Sequence, residues 1–418
     1  MRYFLKTGKL RTTSLVYGVS LLAILMDCVF FGLIKVQAPL SIIWGQYNKL
    51  FPGLLCFIAF LVVVFYVRNA LGDSFTYVYT ILSVLSIACV IILSGLRYPG
   101  IGLFSFLIET SHYWFLFLTA PLLYYLEREE CGYAKIISML NTVAMITYVV
   151  VIAQAVVYAA SGVSFLAKEL SFRNQTVRLG LGCFGNTMIL YNFDRFYNGT
   201  RKRTFHLLMA VVGMVAMLFV QQTRGYTISV VIALGIIVLM NNRTTLKVLL
   251  NVLLIIGAIV YLVYSGILAD LLASLNPETG ENIGIRLIAM DYFWKEFIQS
   301  PLIGHGLAIG TQYISIARGP IELYFYSDVG IVGSLAQYGL FYLVIYVWPM
   351  IRMGRMTIEL FANKKVRQEY AFLIGLYCLL LLTSVSLIVT DMFRMLLFPF
   401  CIAIFEYRYT NYKKRHEG

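Results

Sequence analysis

The feature that most constrains this chain is its succession of long, continuous apolar runs. A helix needs roughly 20 apolar residues to cross a bilayer, and many of the runs are about that long. Apolar side chains make up 60% of the 418 residues and charged ones only 13%. A soluble domain is about half apolar and a quarter charged, so the surplus apolar surface must face lipid. Because a backbone in lipid must satisfy its own hydrogen bonds, we expect an all-α polytopic integral membrane protein.

The apolar runs predict about 12 transmembrane helices in a single membrane domain covering residues 1–418. The predicted spans lie near residues 14–34, 51–68, 75–96, 102–126, 134–159, 179–197, 204–221, 225–241, 247–266, 327–350, 370–389 and 391–408. The sixth is the weakest, because Asn186, Asn192 and Asp194 interrupt it. The run Ser14–Ile34 is too long for a signal peptide and lacks a small-x-small cleavage site, so we interpret it as the first span.

The distribution of basic residues orients these spans. With the N-terminus inside, 22 of the 33 Lys and Arg residues fall in predicted cytoplasmic segments and the remaining 11 outside. Cytoplasmic loops of membrane proteins are enriched in these residues, so both termini are predicted to be cytoplasmic. The net charge of +13 has the same explanation. We therefore expect membrane lipid around the protein and no nucleic-acid partner.

One predicted loop is far longer than the others. Residues 267–326 lie outside the membrane, between spans nine and ten, and loops of this length are usually functional. Within the loop, apolar residues recur with the spacing of one helical face over Asn282–Ser300. That stretch carries too many charges to span a bilayer. It therefore predicts an amphipathic helix along the outer membrane surface.

Arginines in the predicted outer loops run against the enrichment of basic residues in cytoplasmic loops, so we expect each to have a specific role. The candidates are Arg173, Arg178, Arg224 and Arg286. A guanidinium group is planar, always charged and binds phosphate through two parallel hydrogen bonds. Several such groups at the outer leaflet suit a lipid pyrophosphate. The alternative is contact with anionic lipid headgroups or capping of helix ends.

Four further residues, in the large outer loop or at the start of the following span, are candidates for catalysis or substrate binding. His305, the one histidine in a predicted outer loop, lies between two glycines and can act as a base. The alternative is a solvent-facing turn histidine. Asp328 begins the tenth span, where it is a candidate catalytic carboxylate or a helix N-terminal charge. Arg318 and Glu322, earlier in the same loop, are candidates for substrate binding.

Ionisable residues within a predicted span, and motifs that the sequence lacks, limit the kinds of site that the protein can contain. Glu109 and His112 lie in the outer half of span four, where such residues are costly unless they are functional or paired, and they can pair with each other. The sequence contains no HExxH, CxxC, P-loop or DxD motif. We therefore predict no metal site and no cofactor.

Two stretches resemble one bacterial family. Arg286, the sequence SPLIGHGLAIG and the sequence DVGIVGSLAQYGL are similar to the late loop and following span of O-antigen and capsule polysaccharide polymerases (Wzy-type) and O-antigen ligases. QQTRGY, which contains Arg224, resembles the segment of that family that ends in Ser/Thr-Arg-Gly before a span. The number of spans and the late outer loop resemble the family as well.

The resemblance implies a GT-C-like, metal-independent glycosyltransferase in the bacterial cytoplasmic (inner) membrane. It would join oligosaccharide repeat units carried on polyprenyl pyrophosphate, with a chain-length regulator and a flippase as further partners. Arg224 and Arg286 match arginines of the family pattern, so the resemblance implies catalytic roles for them. His305 and Asp328 complete the predicted catalytic residues on the basis of their own positions.

Two other functions are weighed against the polymerase. An O-antigen ligase is disfavoured because RGPIELYFYSDVG lacks the His-Asn pair of ligases. A lipid-linked oligosaccharide flippase is disfavoured because the two halves of the chain show no similarity and the large loop is asymmetric.

Overall fold

The computed structural model describes residues 2–27, 49–66, 74–166, 171–173, 176–199, 202–240 and 281–416. These ranges are mostly helix, with a single two-stranded sheet among them. The elements in chain order are α1 (Arg2–Asp27), α2 (Leu50–Tyr66), α3 (Ser74–Arg97), α4 (Leu103–Glu109), α5 (Thr119–Arg128), α6 (Gly132–Ser161), β1 (Ser171–Arg173), β2 (Thr176–Arg178), α7 (Gly182–Tyr197), α8 (Arg203–Val215), α9 (Arg224–Met240), α10 (Glu281–Gln299), α11 (Ile314–Arg318), α12 (Gly330–Tyr338), α13 (Trp348–Ala362), α14 (Ala371–Thr383) and α15 (Leu397–His416).

Long apolar helices give the chain the character of a membrane protein. Within the described ranges, three helices have the length and composition to cross a bilayer: Phe75–Arg97, Gly132–Ser161 and Arg203–Gln221. Shorter apolar helices cover Thr12–Leu25, Leu50–Phe65, Gly225–Met240 and Ala371–Thr383. Large apolar side chains such as Phe65, Leu85 and Val156 are exposed, as contact with lipid requires. The predicted ninth span, 247–266, and residues 267–280 of the loop lie outside the described residues.

Four predicted spans differ from continuous helices. The eleventh and twelfth, 370–389 and 391–408, are not helical over residues 384–396, which lie between α14 and α15. In the fourth span, α4 ends at Glu109, and a 3₁₀ segment, Ser111–Leu118, separates it from α5. In the tenth span, a break follows α12 at Gly339, whose φ is 60°. A Cβ atom at residue 339 would lie 2.4 Å from the carbonyl oxygen of Leu302, so the loop after α10 packs where only glycine leaves room. Beyond a π-helical turn, Leu343–Val347, α13 continues to Ala362, well past the predicted end.

A short hairpin interrupts the otherwise helical chain. Strands β1 and β2 pair antiparallel, with Ser171 opposite Arg178. The N–H of Leu179, directly after β2, donates to the carbonyl of Val220 at 3.1 Å. The hairpin is therefore fixed to the π-helical segment Ala216–Gln221, which directly follows α8.

A column of tyrosines joins the broken tenth span to the chain between α14 and α15. The rings of Tyr338, Tyr342 and Tyr346 stack at centroid distances of 6.2 and 5.6 Å. The hydroxyl of Tyr346 hydrogen-bonds to Ser384, and that of Tyr342 to Thr390. Residues 384–396, which connect α14 to α15, are called the 384–396 segment below. The column therefore holds this segment against the residues that follow α12.

Contacts group the loops into two ends of the bundle. At one end, Asn198 accepts a 3.0 Å hydrogen bond from Gln368. At the other end, Arg97 donates to the carbonyl of Gly304 at 2.8 Å. We call these the inner end and the outer end, after the predicted topology.

Candidate functional site

The 384–396 segment lies at the centre of the outer end. The N–H of Ile331, in the first turn of α12, donates to the carbonyl of Ser384 at 3.0 Å. Gly330 has a φ of 55°, and a Cβ atom there would lie 2.1 Å from the same oxygen. Asp328 is half-buried in the preceding 3₁₀ turn, Tyr326–Val329. This backbone contact places the turn that contains Asp328 next to the segment.

Arg178 braces the turn that precedes Arg224. Its Nε donates to the carbonyl of Gln221 and its Nη2 to Oγ1 of Thr223, each at 3.3 Å. Arg224 is the first residue of α9. Gly225 follows it, and a Cβ atom there would lie 3.1 Å from Cδ1 of Leu387. The turn is therefore packed between the hairpin and the 384–396 segment.

An ion pair within this segment was not among the predicted site residues. Nη1 of Arg394 lies 2.5 Å from Oδ2 of Asp391, and the other carboxylate oxygen accepts the N–H of Phe393 at 2.9 Å. The two side chains are only 18% and 4% exposed. The guanidinium carbon also lies 5.5 Å from the ring centroid of Tyr226, two residues after Arg224. The ion pair thus adjoins the start of α9.

Further ionisable groups surround the ion pair. Lys49, 7% exposed, places Nζ 5.5 Å from the ring centroid of Phe393 and interacts electrostatically with Asp391 and His112. Tyr326 is within electrostatic range of both Glu109 and Asp391. We define the outer polar cluster as these residues together: Lys49, Glu109, His112, Tyr326, Asp391 and Arg394.

The arrangement combines buried cations with carboxylates. Charges interact more strongly where water is excluded, so fixed cations can stabilise a negative charge that develops beside them. A carboxylate within reach can accept a proton from a hydroxyl group. The outer end thus holds groups suited to the transfer of a sugar from a phosphate leaving group. Among the described residues, no group of three His, Cys, Asp or Glu side chains is placed to hold a metal ion.

His305 is enclosed instead of solvent-facing. Its side chain is 2% exposed, and its ring centroid lies 6.2 Å from that of Phe293. Its N–H donates to the carbonyl of Ala336 at 2.6 Å, and its carbonyl accepts from the hydroxyl of Tyr98. Burial lowers the pKa of the imidazole to about 4. The alternative of a solvent-facing turn histidine is therefore wrong, and the ring is neutral at physiological pH.

Three other predicted residues lie on exposed surface of the loop. Arg286 is exposed on α10, where Ala289 and Phe293 provide the buried face. Arg318 is exposed, with its guanidinium carbon 5.0 Å from the ring centroid of Phe325. Glu322 is exposed in a turn with φ of 57°.

Two predicted residues have side chains outside the described part. Arg224 is placed by its backbone at the start of α9, and Arg173 by its pairing with Thr176 in the hairpin.

Part of the chain is similar to a known protein family. A family model described as O-antigen ligase matches residues 209–347. These residues are similar to that family, and we call the matched region, 209–347, the O-antigen ligase domain. It covers about a third of the chain and contains Arg224, Arg286, His305 and Asp328. No curated protein matches the sequence significantly.

The O-antigen ligase domain does not contain the whole outer polar cluster. Lys49, Glu109 and His112 precede the matched residues, and Asp391 and Arg394 follow them. Arg178, which braces the turn before Arg224, also lies outside the match. The outer arginines were selected because they oppose the orientation bias, and the same argument applied to Arg394 would have found the ion pair.

Proposed function

We propose that this membrane protein is a polysaccharide polymerase: a GT-C-like, metal-independent glycosyltransferase. It joins oligosaccharide repeat units carried on polyprenyl pyrophosphate at the outer face of the bacterial cytoplasmic membrane. The O-antigen ligase domain supports the substrate class, because its family acts on lipid-linked sugars. The apolar helices support a reaction at the membrane.

One observation carries the proposal: two separate parts of the chain meet at the 384–396 segment. The start of α9, which contains Arg224, contacts it through Gly225, and the turn containing Asp328 contacts it through Gly330. The segment itself contributes the buried pair of Asp391 and Arg394. This arrangement supports a site at the outer end in which arginines bind the phosphate and a carboxylate accepts the proton.

In the proposed reaction, a hydroxyl oxygen of the acceptor sugar bonds to the anomeric carbon of the growing chain. The bond from that carbon to the pyrophosphate oxygen breaks, and polyprenyl pyrophosphate leaves with the electron pair. Arg224 and Arg286 stabilise the charge on the leaving group. Asp328 takes the proton of the hydroxyl group. We prefer Asp328 to His305 as the base, because the His305 ring is enclosed by loop packing.

The roles of the remaining predicted residues follow from their positions. Arg178 and Arg173 belong to the hairpin, and Arg178 orients the turn that precedes Arg224. Arg318 and Glu322 lie on exposed turns of the loop, where they can contact the sugars of either substrate.

The proposal includes a location and partners. We place about 12 spans in the inner membrane with both termini in the cytoplasm, on the basis of the 22 inner and 11 outer basic residues. A flippase would supply the lipid-linked unit to the outer face. A chain-length regulator would limit the product.

An O-antigen ligase is the second candidate function, because the matching family model carries that description. A ligase transfers a finished chain to a different acceptor, whereas a polymerase transfers it to another repeat unit. The turn from Arg318 to Gly330 contains no histidine, which favours the polymerase.

The lipid-linked glycans of a deletion strain test the proposal. Loss of a polymerase leaves single repeat units on the lipid carrier at the outer face. Loss of a ligase leaves long polymer on the lipid carrier, and loss of a flippase leaves single units on the cytoplasmic face. Either of the last two profiles contradicts the polymerase. Restoration by the wild-type gene is the control.

A further inference from the structure

A polar cavity opens at the inner end of the bundle, opposite the outer polar cluster. Its volume is about 340 Å³, and six polar or charged residues line it: Arg195, Asn198, Lys365, Gln368, Glu369 and Arg408. They come from the end of α7, from the turn between α13 and α14, and from α15. All six lie outside residues 209–347, so the O-antigen ligase domain does not account for them.

The walls of the cavity are held in place by specific contacts. Arg408 lies between two aromatic rings, with its guanidinium carbon 5.3 Å from the centroid of Tyr133 and 4.6 Å from that of Tyr370. Gln368 donates to Asn198 at 3.0 Å across the cavity wall. A guanidinium held this way loses little conformational freedom when it binds an anion.

The cavity carries an excess of positive charge. Three of its residues are cations, and Glu369 is the one acid among them. Glu369 shares its carboxylate between Arg408 at 3.3 Å and Arg415 at 3.2 Å, and Arg415 is not part of the lining. The negative charge of Glu369 is therefore offset only in part by a cation of the lining. Asp194 interacts electrostatically with Arg195, but with Arg415 included the four cations still outnumber the two acids. This excess of cations has the chemistry that recognises phosphate.

We propose that this inner cavity binds a phosphate group, supplied either by the headgroup of an anionic lipid or by a soluble phosphate compound. Basic pockets between membrane helices on the cytoplasmic side are suited to anionic headgroups, because that leaflet is negatively charged. The site is independent of the proposed polymerase reaction, since it lies at the other end of the bundle.

Two adjacent lysines provide a matched test. Lys364 and Lys365 are both exposed in the same turn, but only Lys365 lines the cavity. Lys365→Gln and Lys364→Gln therefore remove the same charge from neighbouring positions. Lys365→Arg restores a cation at the cavity. The full-length protein is purified in neutral detergent, and the melting temperature of each variant confirms that it is folded.

Binding is measured with two probes that distinguish the sources of phosphate. Isothermal titration with inorganic pyrophosphate reports soluble phosphate. Native mass spectrometry with added phosphatidylglycerol, compared with phosphatidylcholine, reports a lipid headgroup. For the probe that binds, Lys365→Gln should weaken binding about three- to tenfold, less than the loss of a buried charged hydrogen bond because Lys365 is exposed. Lys364→Gln and Lys365→Arg should bind within about twofold of wild type.

The matched variants also separate this cavity from the outer arginines, which can bind pyrophosphate as well. Weakening by Lys365→Gln alone, with either probe, supports the inner site and identifies the source. Absence of binding by wild type to both probes overturns the proposal. Equal weakening by Lys364→Gln and Lys365→Gln also overturns it, because diffuse attraction to a basic surface would then explain the binding.

Discussion

The pair of Asp391 and Arg394 allows the proposed site to be tested by one substitution. Asp391→Asn retains an oxygen that can accept the N–H of Phe393, but it removes the charge opposite Arg394. Removing one partner of a buried ion pair typically costs about 3–5 kcal/mol. Because the Arg394 side chain is 18% exposed, we expect a cost near the lower limit, about 3 kcal/mol. Lys49 also interacts electrostatically with Asp391, and the substitution removes that attraction as well.

A second ion pair, at the inner end, supplies the control. Glu406 is also 4% exposed, and its Oε2 accepts from Nη2 of Arg352 at 2.9 Å, but Arg352 is 38% exposed. Glu406→Gln should therefore destabilise the fold in the same direction but by less. Asp391→Asn should lose roughly 5 °C in melting temperature in detergent, and Glu406→Gln a smaller amount. Only Asp391→Asn should also lower the polymer made per folded molecule.

The assay compares membranes that contain equal amounts of folded protein. Polymer is separated by size and quantified against wild type. Equal loss of polymer from Asp391→Asn and Glu406→Gln would mean that the pair at the outer end has only a structural role. Normal polymer from Asp391→Asn would remove the outer polar cluster from the site.

Three further predictions address individual side chains. Arg178→Gln should lower polymer by up to about five- to thirtyfold, since two hydrogen bonds of about 0.5–1 kcal/mol each are lost. Thr223→Val, which removes one of the two bonds, should have a smaller effect, and equal effects would contradict this. The pKa of His305 is about 4 in the folded state, below its value in the unfolded state, so the unfolded state binds more protons. The free energy of unfolding should therefore fall by up to about 3 kcal/mol as pH drops from 6.5 to 4. The melting temperature of His305→Gln should lack that part of the pH dependence, and a pH dependence equal to that of wild type would refute the burial of a neutral ring. Arg224→Lys and Arg286→Lys should each reduce polymer about ten- to a hundredfold at matched protein levels, because lysine lacks the planar fork; near-normal polymer from both would leave lipid-headgroup contacts as their role.

Helices were the part of the fold most accessible from sequence. Long apolar runs require helix in lipid, whatever the tertiary arrangement. The structure has a helix at Glu281–Gln299, where the apolar spacing predicted one at Asn282–Ser300. That agreement arises because one helical face, with Ala289 and Phe293, packs on α12 and its neighbours. The number of spans and their orientation stay predictions.

Breaks and turns could not be predicted, because they depend on contacts between distant residues. The interruption at Gly339 reflects the approach of Leu302, which is 37 residues earlier in the sequence. His305 is buried by Phe293 and by the end of α12, neither of which its own flanking glycines indicate. In the 384–396 segment, apolar residues surround Asp391 and Arg394, so the predicted spans ran almost continuously through it.

Reconstitution tests the central claim most directly. The purified full-length protein is placed in liposomes with a single lipid-linked repeat unit and no other enzyme, nucleotide or metal ion. We predict a ladder of lipid-linked products that differ by whole repeat units, and a loss of the ladder with Arg224→Lys. If the protein instead leaves the repeat unit unextended but transfers a preformed lipid-linked polymer to a different acceptor, the account of this protein as a polymerase is wrong.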